Sequence, residues 1–252
     1  MGRSMIEIEE LEGIAVLTMA HGPVNAMSLE FCERMVAALQ GIEARVDVQG
    51  LVITAEGSVF SAGIDLKRVA AEPPAYLEQF LPALRRLFRT AFAFSKPLVA
   101  VVNGPALAGG CVLACAADYR IADPEARIGI PEMRIGVPLP TLGIEIMRFT
   151  ATGPALRQIV TNGMTFQGEA AVTAGLVDQL AAEVDSRPAG LTAVRQFAML
   201  PPAVFAHSKR QLRSEAWGRI ERGTQEFEPE VDAMWRSEPI RAGICEYVER
   251  VL

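Results

Sequence analysis

Residues 5–10 and 14–19 alternate or run apolar on either side of Glu12-Gly13, a pattern that predicts a β-hairpin at the head of the chain. Ser28 then stands where an N-cap belongs, ahead of a helix carrying Phe31, Met35, Val36 and Leu39 on one face. The run GLVIT at 50–54 predicts a buried strand that enters a Gly/Ser loop at 56–63. A second helix is expected over 74–94, with Leu77, Phe80, Leu81, Leu84 and Leu87 as its apolar stripe. Pro82 is expected to kink that helix or to mark its start, because proline lacks the N–H and crowds the preceding turn. PLVAVV at 97–102 does not alternate, so this strand is predicted to be covered on both faces. There follow a helix at 109–117, short strands at 120–122 and 127–130, a turn at Pro131, and helices at 141–150, 154–162 and 167–174. Strand then helix, repeated, predicts an α/β fold with a mixed sheet and crossover helices.

Beyond Arg187-Pro188 the periodicity is helical throughout, ending in a helix with Ile244, Val248 and Leu252. The chain therefore divides into a core, 1–190, and a helical C-terminal region, 191–252, expected to pack on that core or on a neighbouring subunit. No short-period repeat or low-complexity tract interrupts either part.

Composition narrows the class. Of 252 residues, 50% are hydrophobic and 21% charged, enough to bury a sizeable core. The net charge of −6 argues against a partner bound through a nucleic-acid backbone. The longest apolar run, 106–117, is well short of the roughly 20 residues that span a membrane, so a soluble protein is expected. Residues 1–10 lack the features of a signal or transit peptide, which points to a cytoplasmic protein. Cys32, Cys111, Cys115 and Cys245 form no CxxC pair and no metal-finger spacing, so they are expected to be reduced core residues, with no metal site.

Chemistry concentrates in two strand-to-helix junctions, GSVFSAGIDLK at 57–67 and NGPALAGGCVLA at 103–114. A helix N-terminus offers unpaired N–H groups, and glycine lets a ligand approach the backbone. Two such junctions meeting at one point would hold a developing oxyanion; tight turns alone would also explain the glycines. Other motifs fail on a required residue. The glycine spacing 104–110 matches a P-loop, but Gly110 and Cys111 replace its Lys and Ser/Thr. No GxGxxG supports a nicotinamide cofactor. Ser61 has Val59 where a nucleophile elbow requires Gly, and only His21 and His207 could serve it as base.

FSAGIDLK at 60–67, NGPALAGGC at 103–111, ADYRIAD at 117–123 and IGIPEMRIGVP at 128–138 together resemble the enoyl-CoA hydratase/isomerase, or crotonase, superfamily. PVNAMS at 23–28 and GMTFQGEAAVTAGLVDQL at 163–180 fit as well. The resemblance implies a crotonase (ClpP-like) spiral core of ββα units, followed by a helical region for trimerisation and pocket closure. It implies an acyl-CoA thioester as substrate, with coenzyme A as part of that substrate and no other cofactor. The assembly it implies is a homotrimer or dimer of trimers.

Residue by residue, the resemblance places an oxyanion hole at the backbone N–H groups of Ile64 and Gly109. It lays the CoA moiety along Val24, Ala26, Ser61, Ala62, Asp65, Leu66 and Lys67, with Lys67 near the adenine or its phosphates; Lys67 also reads as an ordinary solvated lysine. Family hydratases carry two glutamates. The later one is present as Glu132, after Pro131, whereas the earlier position is Val112, which can neither transfer a proton nor hold a water. One acid beside an enolate suits a simpler reaction, the shift of a 3-enoyl thioester into conjugation, as in family Δ3,Δ2-enoyl-CoA isomerases. Apolar neighbours, Val112 and Ile130 among them, should raise the pKa of Glu132 toward neutrality. Glu145 is the complication: it reads as a second acid, or as a residue serving its helix N-terminus or pairing with Arg148. The leading expectation is an enoyl-CoA isomerase of fatty acid metabolism. Hydration, decarboxylation, thioester hydrolysis and a non-catalytic acyl-CoA-binding role are the alternatives. The pocket walls are expected from the 74–94 helix and the 138–142 loop.

Overall fold

The computed structural model describes residues 4–251. Met1, Gly2, Arg3 and Leu252, the last assigned above to the final helix, lie outside the described residues. The chain opens with β1 (Ile6–Leu11) and β2 (Ile14–Met19), paired antiparallel with Leu11 opposite Ile14. Glu12 and Gly13 take φ of 53° and 81°, the doubly positive conformation that a two-residue hairpin turn demands. Helix α1 (Leu29–Ala44) begins where Ser28 Oγ accepts the Phe31 N–H at 3.3 Å. Next come β3 (Gly50–Ala55), α2 (Leu66–Ala71) and α3 (Ala75–Ala93). Pro82 lies inside α3 and does not start it: the amphipathic stripe through Phe80, Leu84 and Leu87 is buried on both sides of the proline, and this packing carries the helix through.

Strand β4 (Leu98–Val102) follows, then β5 (Ala106–Leu107), α4 (Gly109–Cys115), β6 (Tyr119–Ala122), β7 (Ile128–Gly129) and the single turn α5 (Glu132–Ile135). The core continues with α6 (Thr141–Thr150), α7 (Gly153–Asn162), β8 (Thr165–Phe166), α8 (Gly168–Thr173) and β9 (Gln179–Leu180). Four helices complete the described chain: α9 (Glu183–Ala198), α10 (Pro202–Leu212), α11 (Ser214–Arg236) and α12 (Glu238–Val251).

The main sheet has the order β1-β2-β3-β4-β6-β9, parallel everywhere except at the β1–β2 edge. Its strands divide their residues by alternation. Ile14, Val16, Val52, Val99, Val101 and Ile121 face α9, where Val194 is buried among them. Ala15, Leu17, Leu51, Ile53, Leu98 and Ala100 face α1, α3 and α4. Every residue of β4 is buried, as its unbroken apolar run predicts. Because α9 covers the sheet and runs through residues 190 and 191, the helical region begins as part of the core packing.

A second sheet, β5-β7-β8, carries the spiral onward, with β5 and β7 parallel. The helical tail is locked down by a buried charge cluster. Asp118 accepts from Lys209 at 2.6 Å and from Arg213 at 2.9 Å, and it also takes the Leu98 N–H. Removing one partner of such a cluster typically costs about 3–5 kcal/mol.

Candidate active site

Parallel pairing brings four distant segments side by side. Met27 bridges Ile64, Ser61 bridges Ala106, and the β5–β7 register sets Leu107 against Gly129, with the Ala108 N–H on Gly129 O at 2.9 Å. One ribbon therefore leads into Gly109, its neighbour leads into Glu132, and the 61–64 loop lies against the first. The approach is close. A Cβ on Gly63 (φ +86°) would fall 2.5 Å from Ala108 Cβ and 2.9 Å from Gly109 N, and one on Gly110 would fall 2.5 Å from Ser61 O. Ala108 itself holds φ 54° and ψ −128°, a conformation costly for an L-residue, at the peptide that orients the Gly109 N–H. Among the described residues, neither the Ile64 nor the Gly109 N–H donates to a backbone carbonyl.

These segments form one side of a cavity of about 590 Å³. Val24, Ala26, Ala62, Ile64, Asp65, Leu66, Lys67, Pro131 and Glu132, all singled out from sequence, line it. Four others do not. Ser61 is wholly buried, and its hydroxyl donates to Asn25 O at 2.8 Å while accepting the Gly63 N–H at 3.1 Å, so it shapes the loop from beneath. Gly109 and Val112 are buried behind Ala108 in the first turns of α4. Glu145 points elsewhere, held by Arg148 at 3.0 Å and Arg219 at 2.6 Å. Asp65 reaches the cavity wall but spends one carboxylate oxygen capping α2, where it accepts the Arg68 N–H at 3.0 Å.

Glu132 is different. It begins the turn α5, whose end is fixed by Gly136 in the left-handed region (φ 83°) and by the Gly136 and Val137 N–H groups on Glu132 O. Its side chain is 6% exposed, and Oε2 has no hydrogen-bond partner. Burial without a counter-charge pushes the carboxyl from an ordinary 4.5 up to about 8. This meets the sequence expectation in direction.

The opposite wall was not legible from motifs. Trp235 of α11 and Tyr247 and Val251 of α12 line the cavity together with Ile135 and Val137, and no residue of α3 does so. Helix α12 rests on α2, where Arg241 donates to Glu72 O at 3.0 Å, so the tail closes the cavity of its own chain. His21, stacked on Phe31 at 5.5 Å, stands on the wall with Gly22 and Pro23. Among the described residues, no group of three His, Cys, Asp or Glu is placed to hold a metal ion, and no helix is long and apolar enough to cross a membrane.

The family description enoyl-CoA hydratase/isomerase matches residues 9–251. The chain belongs to the enoyl-CoA hydratase/isomerase family. Human mitochondrial enoyl-CoA delta isomerase 1 is 27% identical over 221 residues, 86% of this chain and 73% of that protein. A probable enoyl-CoA hydratase of Mycobacterium avium is 30% identical over 197 residues, 78% of this chain and 77% of that protein. Among solved structures, human mitochondrial delta3-delta2-enoyl-CoA isomerase superposes with a TM-score of 0.93 at 26% identity, covering 98% of each chain. A probable enoyl-CoA hydratase of Mycobacterium tuberculosis gives 0.85 at 29% identity, covering 98% of this chain and 99% of that one. The fold is thus the crotonase fold expected from the motifs, and the protein is a crotonase-family acyl-CoA enzyme.

Proposed function

We propose that this family member is a Δ3,Δ2-enoyl-CoA isomerase with Glu132 as its single proton shuttle. The observation that carries the reading is the isolation of that carboxylate. Glu132 is the buried acid on the cavity wall, and one of its oxygens has no partner. The other acids nearby are committed, Glu145 to two arginines and Asp65 to a helix cap. Hydration needs two groups to orient and activate a water, and the position that would supply the second is the buried Val112.

In this mechanism the ionised Glu132 removes a proton from C2 of a 3-enoyl-CoA. The C2–H electrons form the C1–C2 double bond of a thioester enolate, whose oxygen accepts from the Ile64 and Gly109 N–H groups. Electrons then return from that oxygen, the C3–C4 bond attacks the proton on Glu132 at C4, and a C2–C3 double bond remains. Atoms and charge balance with no water consumed. A carboxyl titrating near neutrality is suited to both giving and taking the proton. The CoA portion is assigned to the wall from Ala62 to Lys67 and to Val24 and Ala26, and the active assembly to a homotrimer or dimer of trimers.

The test is a paired assay on a 3-enoyl-CoA and a trans-2-enoyl-CoA, with the native protein and a Glu132→Gln variant. Conjugation of the first substrate should exceed hydration of the second. Glu132→Gln should lower the isomerisation rate by about 10²–10⁴-fold. Faster hydration, or full isomerase activity in the variant, would sink the proposal.

A further inference from the structure

The cavity lining runs from exposed to buried positions. Ala62 and Lys67 are exposed, whereas Trp235 (2% exposed) and Val137 (4%) are buried and mark its inner end. Trp235 is a fixed wall. Its indole N–H donates to Pro138 O at 3.1 Å, which pins the ring to the segment leading from the Glu132 turn into α6. The helix behind it is anchored on the same segment. Glu228, also on α11, accepts the Thr141 N–H at 2.7 Å and is paired with Arg85 at 2.7 Å. With its one polar atom already used, the indole presents only hydrocarbon to the cavity.

An alkyl chain lying past Glu132 toward that end meets the apolar Ile135 and Val137 and an indole held in place by its hydrogen bond to Pro138 O. We propose that Trp235, together with Val137, sets the length of acyl chain this enzyme accepts, admitting unbranched chains of short to medium length and turning longer ones away. This rests on the reading of the cavity as the acyl-CoA site. It identifies a residue of the helical tail as a specificity determinant, far along the chain from the Glu132 motif that carries the proposed chemistry.

The experiment measures equilibrium binding of saturated acyl-CoA thioesters of increasing chain length, which requires no turnover, alongside isomerisation of 3-enoyl-CoAs of matching lengths. A methylene gained or lost in an apolar pocket changes affinity by roughly tenfold or more. Trp235→Ala should therefore raise the ratio of long-chain to short-chain affinity at least about tenfold. Val137→Leu should shift the ratio the other way, lowering long-chain affinity more than short-chain affinity, and it keeps the test open if Trp235→Ala does not fold. A uniform change at every chain length in a folded variant would overturn the inference. A shifted binding profile without isomerase activity would uphold it and remove the isomerase reading alone. Failure to bind any acyl-CoA would overturn both.

Discussion

A buried carboxylate without a partner should leave a signature in the pH dependence of stability, independent of any substrate. Between its ordinary value of 4.5 and about 8, Glu132 keeps its proton in the folded protein and loses it in the unfolded chain. Stability contributed by the neutral carboxyl is therefore fully present below pH 4.5 and is lost progressively as pH rises through about 8. At about 1.4 kcal/mol per pH unit, the loss approaches a ceiling on the order of 5 kcal/mol, reduced to the extent that water in the cavity hydrates the anion. Glu132→Gln keeps the shape and removes the titration, so the variant should gain on the native protein as pH rises. For a chain of this size, about 2–4 °C of Tm accompanies each kcal/mol. The gap between the two melting temperatures should thus widen by roughly 10 °C from pH 5 to pH 9. Buried Lys209, pushed down to about 8, shifts stability in the opposite sense at alkaline pH, but it does so in both proteins and cancels in the difference. Melting curves that stay parallel across the range would refute the picture of a desolvated, unpaired Glu132.

The same titration should govern catalysis: kcat/KM for isomerisation is expected to rise with pH through about 8, as Glu132 ionises, and a profile flat from pH 6 to 9 would contradict its role as base. Glu145→Gln should keep isomerase kcat within a few-fold while lowering stability by about 1–3 kcal/mol, read by urea denaturation, because it weakens contacts to two arginines and touches no substrate. Gly63→Ala should lose most activity and destabilise the fold by more than about 1 kcal/mol, since a methyl there meets Ala108 and the Gly109 N–H in a backbone conformation that disfavours a side chain; a fully active, native-like variant would show that the two loops do not need their present spacing.

How much could be read from sequence depended on whether a feature is local. The Glu12-Gly13 hairpin, the Ser28 cap and the doubly covered β4 each announce themselves within a few residues, and each forms as expected. The strands β5, β8 and β9 are two residues long, too short for periodicity, and exist because tertiary pairing supplies their partners. Motifs located the acid and the loops around it. For Ser61, read as a CoA-binding position, a motif records which residue stands in a loop and not which way its side chain turns, and here it turns inward to Asn25. Trp235, Tyr247 and Val251 carried no signal beyond helical amphipathicity. Their place on the cavity follows from α11 crossing α6 and α12 lying on α2. Pairing of Glu145 with Arg148 was open to a helix-spacing argument, whereas its second partner, Arg219, was not.

The three carboxylates singled out from sequence, Asp65, Glu132 and Glu145, show why residue type alone underdetermines role. Asp65 satisfies a helix terminus, Glu145 neutralises two guanidinium groups, and Glu132 is left with desolvation that no counter-charge offsets. Burial pushes the Glu132 carboxyl up to about 8, a range in which a proton can be held or released near neutrality. Val112 completes the logic from the other side. It is buried and lies against Gly143 of α6, so apolar packing occupies the position where the family's second acid would stand. On the isomerase proposed above, one acid and no activated water suffice.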